Sequence, residues 1–230
     1  MREPSIPLQP VHEMADALRT ITRPPFLTLV GVSVLVTVVS SRLSSSDNGA
    51  LLSLLVLALV STYIQISTCL AAAADTPESS ADRWLLAAFR NRCFWRFVGT
   101  SLLFFVMIVG GLFAVVVGAF IVGGIFALSL PAAAIERQLP IAALKTSAAL
   151  TRPIRIPVIV IFGVLYILPV LTLQLVVQLT SLNDVLVTVI NVVPPVLQLA
   201  ALVSVTRIFV AYRTAPEPPN AIKSDHRSQR

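Results

Sequence analysis

Long apolar runs separated by short charged segments dominate the chain. A transmembrane helix needs about 20 consecutive, mostly apolar residues. The runs that reach or approach this length are 26–41, 50–74, 98–134, 157–179 and 185–206. The first run is short, but Arg23 and Arg42 flank it and can extend their side chains to the two membrane interfaces. The pattern predicts an all-α membrane protein that crosses the bilayer several times.

The run 98–134 contains no charged residue and is too long for one ordinary span. If it crosses twice, with a turn within 109–118, one side of the membrane holds 16 of the 17 basic residues. Since Lys and Arg in short loops favour the cytoplasmic side, the sequence predicts six transmembrane helices with both termini in the cytoplasm. The alternative is a re-entrant hairpin that turns back inside the bilayer and needs protein around its backbone.

A similar segment precedes each predicted helix pair. In the first, apolar residues recur at helical spacing and the charges lie elsewhere. The second combines arginine with Trp and Phe, as in helices of the headgroup layer, and the third runs between two prolines that suit a helix start and stop. The segments align at 17–20, 88–91 and 143–146. We predict three transmembrane hairpins, each preceded by a cytoplasmic amphipathic interfacial helix; chance similarity over four positions is the alternative.

These elements divide the chain into three parts. Residues 1–25 are predicted to be a cytoplasmic amphipathic segment. Residues 26–213 form the six-helix transmembrane domain, with interfacial helices near 82–97 and 139–152. The Pro-rich, polar residues 214–230 form a disordered cytoplasmic tail. A cleaved signal peptide is the weaker interpretation of the N-terminus, because acidic residues precede the first apolar run.

Two stretches in the second half of the chain resemble a known membrane family. They are PAAAIERQLPIAALKTSAALTRP at residues 131–153 and TRIFVAYR at residues 206–213. Both are similar to the membrane domain that accompanies some glycerophosphodiester phosphodiesterases and to its stand-alone relatives. The resemblance implies a six-helix bundle with cytoplasmic connecting helices. It does not imply phosphodiesterase activity, which belongs to a separate soluble domain.

Composition agrees with a membrane location and narrows the function classes. The chain is 56% hydrophobic and 12% charged, whereas a soluble domain is roughly 45–50% apolar and about 25% charged. A soluble, disordered or disulfide-stapled chain is therefore excluded. The net charge of +6 is confined to the segments between apolar runs, which fits orientation in the cell membrane better than nucleic-acid binding.

The apolar runs carry no ionisable residue of the kind that catalysis or proton coupling within a membrane requires. Metal-protease, nucleophile-elbow and P-loop patterns are missing from the sequence. We therefore predict a protein that is not an enzyme and that needs no metal or other cofactor. The alternative is an interfacial lipid-acting enzyme that uses Glu136 or Asp82 beside nearby arginines.

Polar residues within the runs allow two interpretations. They either form hydrogen bonds between helices or line the path of a small transporter or permease. A kink at Pro194 and Pro195 would favour the path, since kinked helices mark transporter sites. The candidates are Gln65, Gln174, Gln178, Asn191 and Gln198.

Arginines of the predicted cytoplasmic segments lie where anionic headgroups would be, and each contributes about 1 kcal/mol of attraction there. The candidates for lipid-headgroup or partner contact are Arg90, Arg92, Arg96, Arg152 and Arg155. The alternative is that they only set the topology. The sequence predicts a non-catalytic accessory or scaffold component that contacts membrane lipids, a protein partner or a second copy of itself. A small permease component is the alternative function.

Overall fold

The computed structural model describes residues 9–43, 47–74, 80–90, 93–113, 116–179 and 184–214. Within these ranges every regular element is a helix. The α-helices are α1 (Pro10–Ile21), α2 (Phe26–Leu43), α3 (Asp47–Ala73), α4 (Ala81–Arg90), α5 (Phe94–Phe113), α6 (Val116–Phe126), α7 (Ser129–Ile135), α8 (Pro140–Thr151), α9 (Arg155–Phe162), α10 (Leu168–Leu179) and α11 (Asp184–Thr214). A 3-10 turn, Arg152–Ile154, joins α8 to α9, and a π-helical segment, Gly163–Ile167, joins α9 to α10. The predicted tail beyond residue 214 lies outside the described residues.

Within the described residues, five helical stretches are long and apolar enough to cross a membrane: Val56–Ala73, Phe94–Gly111, Gly118–Ile135, Pro140–Leu173 and Val192–Thr214. A sixth is reached only when α1 and the first part of α2 count together, and these two helices meet at a bend of 78°. The prediction of an all-helical, multi-pass membrane protein is confirmed at this level. The first apolar run is the shortest of those predicted, so it does not reach the required length alone.

The uncharged run 98–134 divides where the glycines lie. Helix α5 ends at Phe113 and α6 begins at Val116, within the predicted turn window. The two helices meet closely, because a Cβ on Gly111 would lie 2.9 Å from the carbonyl carbon of Gly118. Small residues allow this approach of two backbones. Whether the pair crosses the whole bilayer stays a prediction.

The helices that connect the predicted spans pack against the bundle. Helix α4 packs against α3, α8 against α7, and α1 against α11. In each aligned segment the alanine is completely buried and the basic residue two positions later is exposed. The alanines are Ala17, Ala88 and Ala143. Helix α8 differs from the other two, because it continues into α9 without leaving helical conformation and buries Leu144.

Helix α7 lies at the centre of the bundle. Its residues Ser129, Pro131 and Ala132–134 are all buried, and it contacts α3, α5, α8 and α11. The chain leaves α-helical conformation at residues 127–128, between α6 and α7. Helix carbonyls near such an end lose their donors four residues ahead. Hydroxyls of α8 reach the carbonyl oxygen of Ile125 instead, from Ser147 at 2.8 Å and Thr151 at 3.1 Å.

Helix α11 is the longest element and contacts most of the bundle, including α1, α2, α3 and α10. It stays helical through Pro194 and Pro195. Proline has no N–H, so the carbonyl oxygens of residues 190 and 191 lack their usual helix donors. The buried stretch of α11 extends from Leu199 to Thr206, and the helix places Gln198 immediately before it.

Candidate functional site

A cavity of about 190 Å³ lies between α3, α5, the π-helical segment and α11. Most of the side chains around it are apolar or aromatic, and four are polar. The polar side chains are Gln65, Ser101, Tyr166 and Gln198. Phe162 stacks on Tyr166 with ring centroids 4.8 Å apart and meets the edge of Phe104 at 5.7 Å. We call this space the apolar chamber.

A second cavity, of about 220 Å³, lies between α2, α3 and α11. Five of the nine described side chains that line it are polar: Ser33, Thr37, Ser61, Gln65 and Gln198. Pro195 also lines it. The Thr37 hydroxyl donates to the Ser33 carbonyl oxygen at 2.9 Å, which leaves the lone pairs of its own oxygen as acceptors. We call this space the polar chamber.

Gln65 on α3 and Gln198 on α11 line both chambers. Each amide offers two N–H donors and one carbonyl acceptor. Within the described part of the chain, no hydrogen bond joins either side chain to another group. These two of the five predicted intramembrane polar residues therefore come together around one pair of cavities. Their alternative role in hydrogen bonding between helices stays a prediction.

The remaining three predicted polar residues are placed only by their backbone. Gln174 and Gln178 belong to α10, and Asn191 belongs to α11. Their side chains lie outside the described residues, so their role in a permease stays a prediction. Pro195 is the one part of the proposed path, besides Gln65 and Gln198, that the structure places against a chamber.

Sequence reasoning missed the hydroxyl residues of the chambers. Ser33 and Thr37 are four residues apart on α2, and Ser61 and Gln65 are four residues apart on α3. Such spacing places two side chains on the same face of a helix. That regularity was available in the sequence. Ser101 had no comparable signal in the sequence, because no second polar residue lies three or four positions away on the same face of α5. Its hydroxyl is buried and has no hydrogen-bond partner.

A polar cluster joins three elements at the end of the bundle where α5 begins and α11 ends. The Arg213 Nε donates to Glu136 Oε1 at 2.7 Å, and the Gln138 amide donates to Glu136 Oε2 at 2.5 Å. Arg96 donates to the carbonyl oxygen of Arg137. Arg137 has a φ of 54°, a left-handed conformation that non-glycine residues adopt rarely. We call this region, together with α4, which ends at Arg90 shortly before α5 begins, the arginine-rich end.

Exposed arginines lie beside exposed aromatic side chains around α4 and the start of α5. Arg90 and Arg96 are exposed, and Phe89 and Trp95 are 70% and 78% exposed. Arg152 and Arg155 are exposed as well, next to the exposed side chain of Ile156. Arg92 lies outside the described residues. Four of the five predicted headgroup arginines are therefore on the surface.

The carboxylates suggested for an interfacial enzyme have ordinary partners. Both oxygens of Glu136 accept hydrogen bonds, from Arg213 and Gln138. A hydrogen bond from the Ser80 hydroxyl holds the pKa of the exposed Asp82 below its usual value, which does not suit a general acid. Among the described residues no three His, Cys, Asp or Glu side chains group as metal ligands would. That the protein is not an enzyme stays a prediction.

One acidic residue of α1 is held in an unusual environment. Burial raises the pKa of Glu13, and the positive charge of Arg207 on α11 lowers it by less. The neighbouring Asp16 carries its own exposed ion pair with Arg19 at 3.8 Å.

Comparison of the chain with protein-family models, with characterised proteins and with solved structures finds no match. The resemblance given for residues 131–213 stays a prediction.

Proposed function

We propose that this chain is a non-catalytic, multi-pass membrane protein that binds anionic lipid headgroups at its arginine-rich end and serves as an accessory or scaffold component. The observation that carries the proposal is the surface around α4 and α5. Arg90 and Arg96 flank two exposed aromatic side chains there, Phe89 and Trp95. Arginine with Trp or Phe is the composition of protein segments that lie in the headgroup layer.

The geometry of this surface supports lipid contact. Phe89 is mostly exposed, yet its ring stacks on Tyr63 of α3 at 5.8 Å, so the helix is anchored to the bundle. Arg96 is held by its hydrogen bond to the Arg137 carbonyl oxygen. A guanidinium has five N–H donors, so Arg96 keeps most of them for a phosphate. Each such arginine contributes about 1 kcal/mol of attraction to an anionic leaflet.

The proposed architecture is a threefold repeat of interfacial helix and transmembrane hairpin. The three buried alanines and the three packing pairs, α4 on α3, α8 on α7 and α1 on α11, support it. In this arrangement α1 closes the ring by packing against the last helix. Both termini and the arginine-rich end face the cytoplasm of a cell-membrane protein, as the distribution of basic residues favours.

The test measures lipid retention. The full chain is placed in nanodiscs of mixed phosphatidylglycerol and phosphatidylcholine, extracted into mild detergent, and examined by native mass spectrometry. We expect phosphatidylglycerol to be enriched. The double variant Arg90→Gln/Arg96→Gln should lower that enrichment about 30-fold, because two arginines at about 1 kcal/mol each contribute about 2 kcal/mol. The control Arg19→Gln/Arg23→Gln removes the same charge around α1, which has no Phe, Tyr or Trp. Because α1 has none of these side chains to hold its arginines among the headgroups, this control should lower the enrichment by less than the Arg90/Arg96 variant does.

Two results would overturn the proposal. Equal retention of the two lipids by the unmodified chain would show that its surface does not select anionic headgroups. Equal losses in the two double variants would show that only net charge matters. A stoichiometric protein partner in place of lipid would make the same surface a protein interface.

A further inference from the structure

The two chambers differ in chemistry and share one wall. Hydroxyl and amide groups make up a larger share of the lining of the polar chamber than of the apolar chamber, which is lined mainly by Phe, Ile, Leu, Val and Ala. Gln65 and Gln198 belong to both. We propose that the chambers form one binding site for an uncharged amphiphile, a molecule with a small hydrogen-bonding head and a hydrocarbon tail. This site is separate from the arginine-rich end and does not depend on the function proposed above.

The head of the ligand fits the polar chamber. The amides of Gln65 and Gln198 supply donors and acceptors, and the oxygens of Ser33 and Thr37 accept further hydrogen bonds. A ligand hydroxyl or amide can therefore both donate and accept within one small space. Such mixed capacity suits a neutral head better than an ion, which needs groups of the opposite charge.

The tail fits the apolar chamber in character and size. A cavity of about 150 Å³ lined by aliphatic and aromatic residues holds benzene. The apolar chamber, at about 190 Å³, therefore has room for a short hydrocarbon segment. Phe104, Phe162 and Leu202 supply the apolar walls. Burying each methylene of the tail contributes about 0.8 kcal/mol in transfer from water.

Charged ligands are disfavoured by the lining. Among the described residues, none of the side chains around either chamber is Asp, Glu, Lys, Arg or His. Moving an ion from water into such a site without a countercharge is strongly unfavourable. A fatty acid carboxylate or a phosphate would have no partner, whereas an alcohol or amide would have several.

Unpaired polar groups at the site independently indicate a missing partner. The Ser101 hydroxyl is buried, lines the apolar chamber, and has no hydrogen bond. Gln65 and Gln198 are half-buried between packed helices, and no hydrogen bond from either side chain is found in the described ranges. A buried polar group without a partner is destabilising. A head bound at the wall that the two chambers share would hydrogen-bond the amides of Gln65 and Gln198, and Ser101 borders the same space on its apolar side.

The test uses a photoreactive analogue of decanol, with a diazirine in its tail, added to the full chain in nanodiscs. We expect saturable cross-linking to peptides of α5 and the π-helical segment, with competition by decanol but not by decane or decanoate. Gln65→Leu/Gln198→Leu should weaken binding about tenfold, and Ser101→Ala about threefold. The matched control is Ser129→Ala, because Ser129 is also buried without a hydrogen bond but lines neither chamber. It should leave binding unchanged.

Several outcomes would overturn the site. Equal competition by decanoate would contradict the neutral chemistry, and cross-links confined to the lipid-facing surface would show that the chambers are not occupied. Equal effects of Ser101→Ala and Ser129→Ala on decanol binding would show that the apolar chamber does not hold the ligand. This comparison remains valid even if Gln65→Leu/Gln198→Leu does not fold. A Ser101→Cys thiol that reacts with a charged reagent despite saturating decanol would indicate a water-filled path for a polar solute instead.

Discussion

Removing both hydroxyls that reach the carbonyl oxygen of Ile125 should destabilise the bundle by more than the two single losses together. Ser147 donates to this oxygen at 2.8 Å. The Thr151 hydroxyl has three acceptors within reach: the carbonyl oxygens of Ile125 at 3.1 Å, Ser147 at 2.8 Å and Ala148 at 3.4 Å. A hydroxyl has one proton and so donates to one of these acceptors at a time. Thr151 can therefore donate to the carbonyl oxygen of Ile125 when Ser147 no longer donates to it.

The magnitudes follow from this redundancy. Ser147→Ala should cost about 1 kcal/mol in the free energy of unfolding, because Thr151 takes over. Thr151→Val should cost about 0.5 kcal/mol, since the shorter bond from Ser147 remains. The double variant leaves a partly buried carbonyl at a helix end without either hydroxyl, which costs about 1 kcal/mol beyond the lost bonds. The coupling energy of the double-mutant cycle should therefore be about 1 kcal/mol or more.

The assay is equilibrium unfolding in mixed micelles of a mild detergent and SDS, followed by the fluorescence of Trp84 and Trp95. The matched control is Ser67→Ala. Ser67 is also completely buried, but its hydroxyl donates within its own helix, to the Tyr63 carbonyl oxygen at 2.7 Å. Its loss leaves no helix end uncapped and should cost less than about 1 kcal/mol. Strict additivity of the Ser147 and Thr151 variants would refute the view that their hydroxyls cap the break between α6 and α7.

Two further predictions concern packing and charge. Gly124→Ala should destabilise the chain by about 1–3 kcal/mol, because the new Cβ would lie 2.7 Å from the Cα of Ile159 and the backbone must shift. Gly110→Ala is its control, since a Cβ there meets nothing within 4 Å, and both are read from midpoints of SDS unfolding. Glu13→Gln should raise thermal stability at neutral pH. Burial raises the pKa of Glu13 in the folded protein above its value in the unfolded chain. Protonated Glu13 therefore stabilises the fold fully below the unfolded pKa, and this contribution is lost as pH rises through the folded pKa. The stability difference between the two proteins should vanish below about pH 4, where Glu13 is protonated in both the folded and the unfolded chain. A difference that does not change with pH, or one that disappears at high pH, would contradict this reasoning.

The approximate positions of most apolar helices were readable in the sequence, but not that Pro140–Leu173 is one continuous helical stretch, where an interfacial helix and a separate span were predicted. Hydropathy is a local property, so long apolar runs identify helices whatever their neighbours are. The division of 98–134 near its glycines, and the helix that begins at Pro140, follow from local preferences of those residues. The aligned alanines could also be found, because a repeated pattern is visible before its packing is known.

The candidate site depended on the tertiary structure. In a membrane the lipid-facing and protein-facing sides of a helix are both apolar, so hydropathy does not tell which side meets a neighbour. Gln65 and Gln198 are far apart in sequence, and only the contact of α3 with α11 brings them to the same two chambers. Likewise, the hydroxyls of α8 meet the carbonyl of Ile125 only because α8 folds back along α6 and α7. The sequence thus determined which segments are long and apolar enough to cross a membrane, whereas long-range packing decided which polar groups of different helices lie around the same cavity.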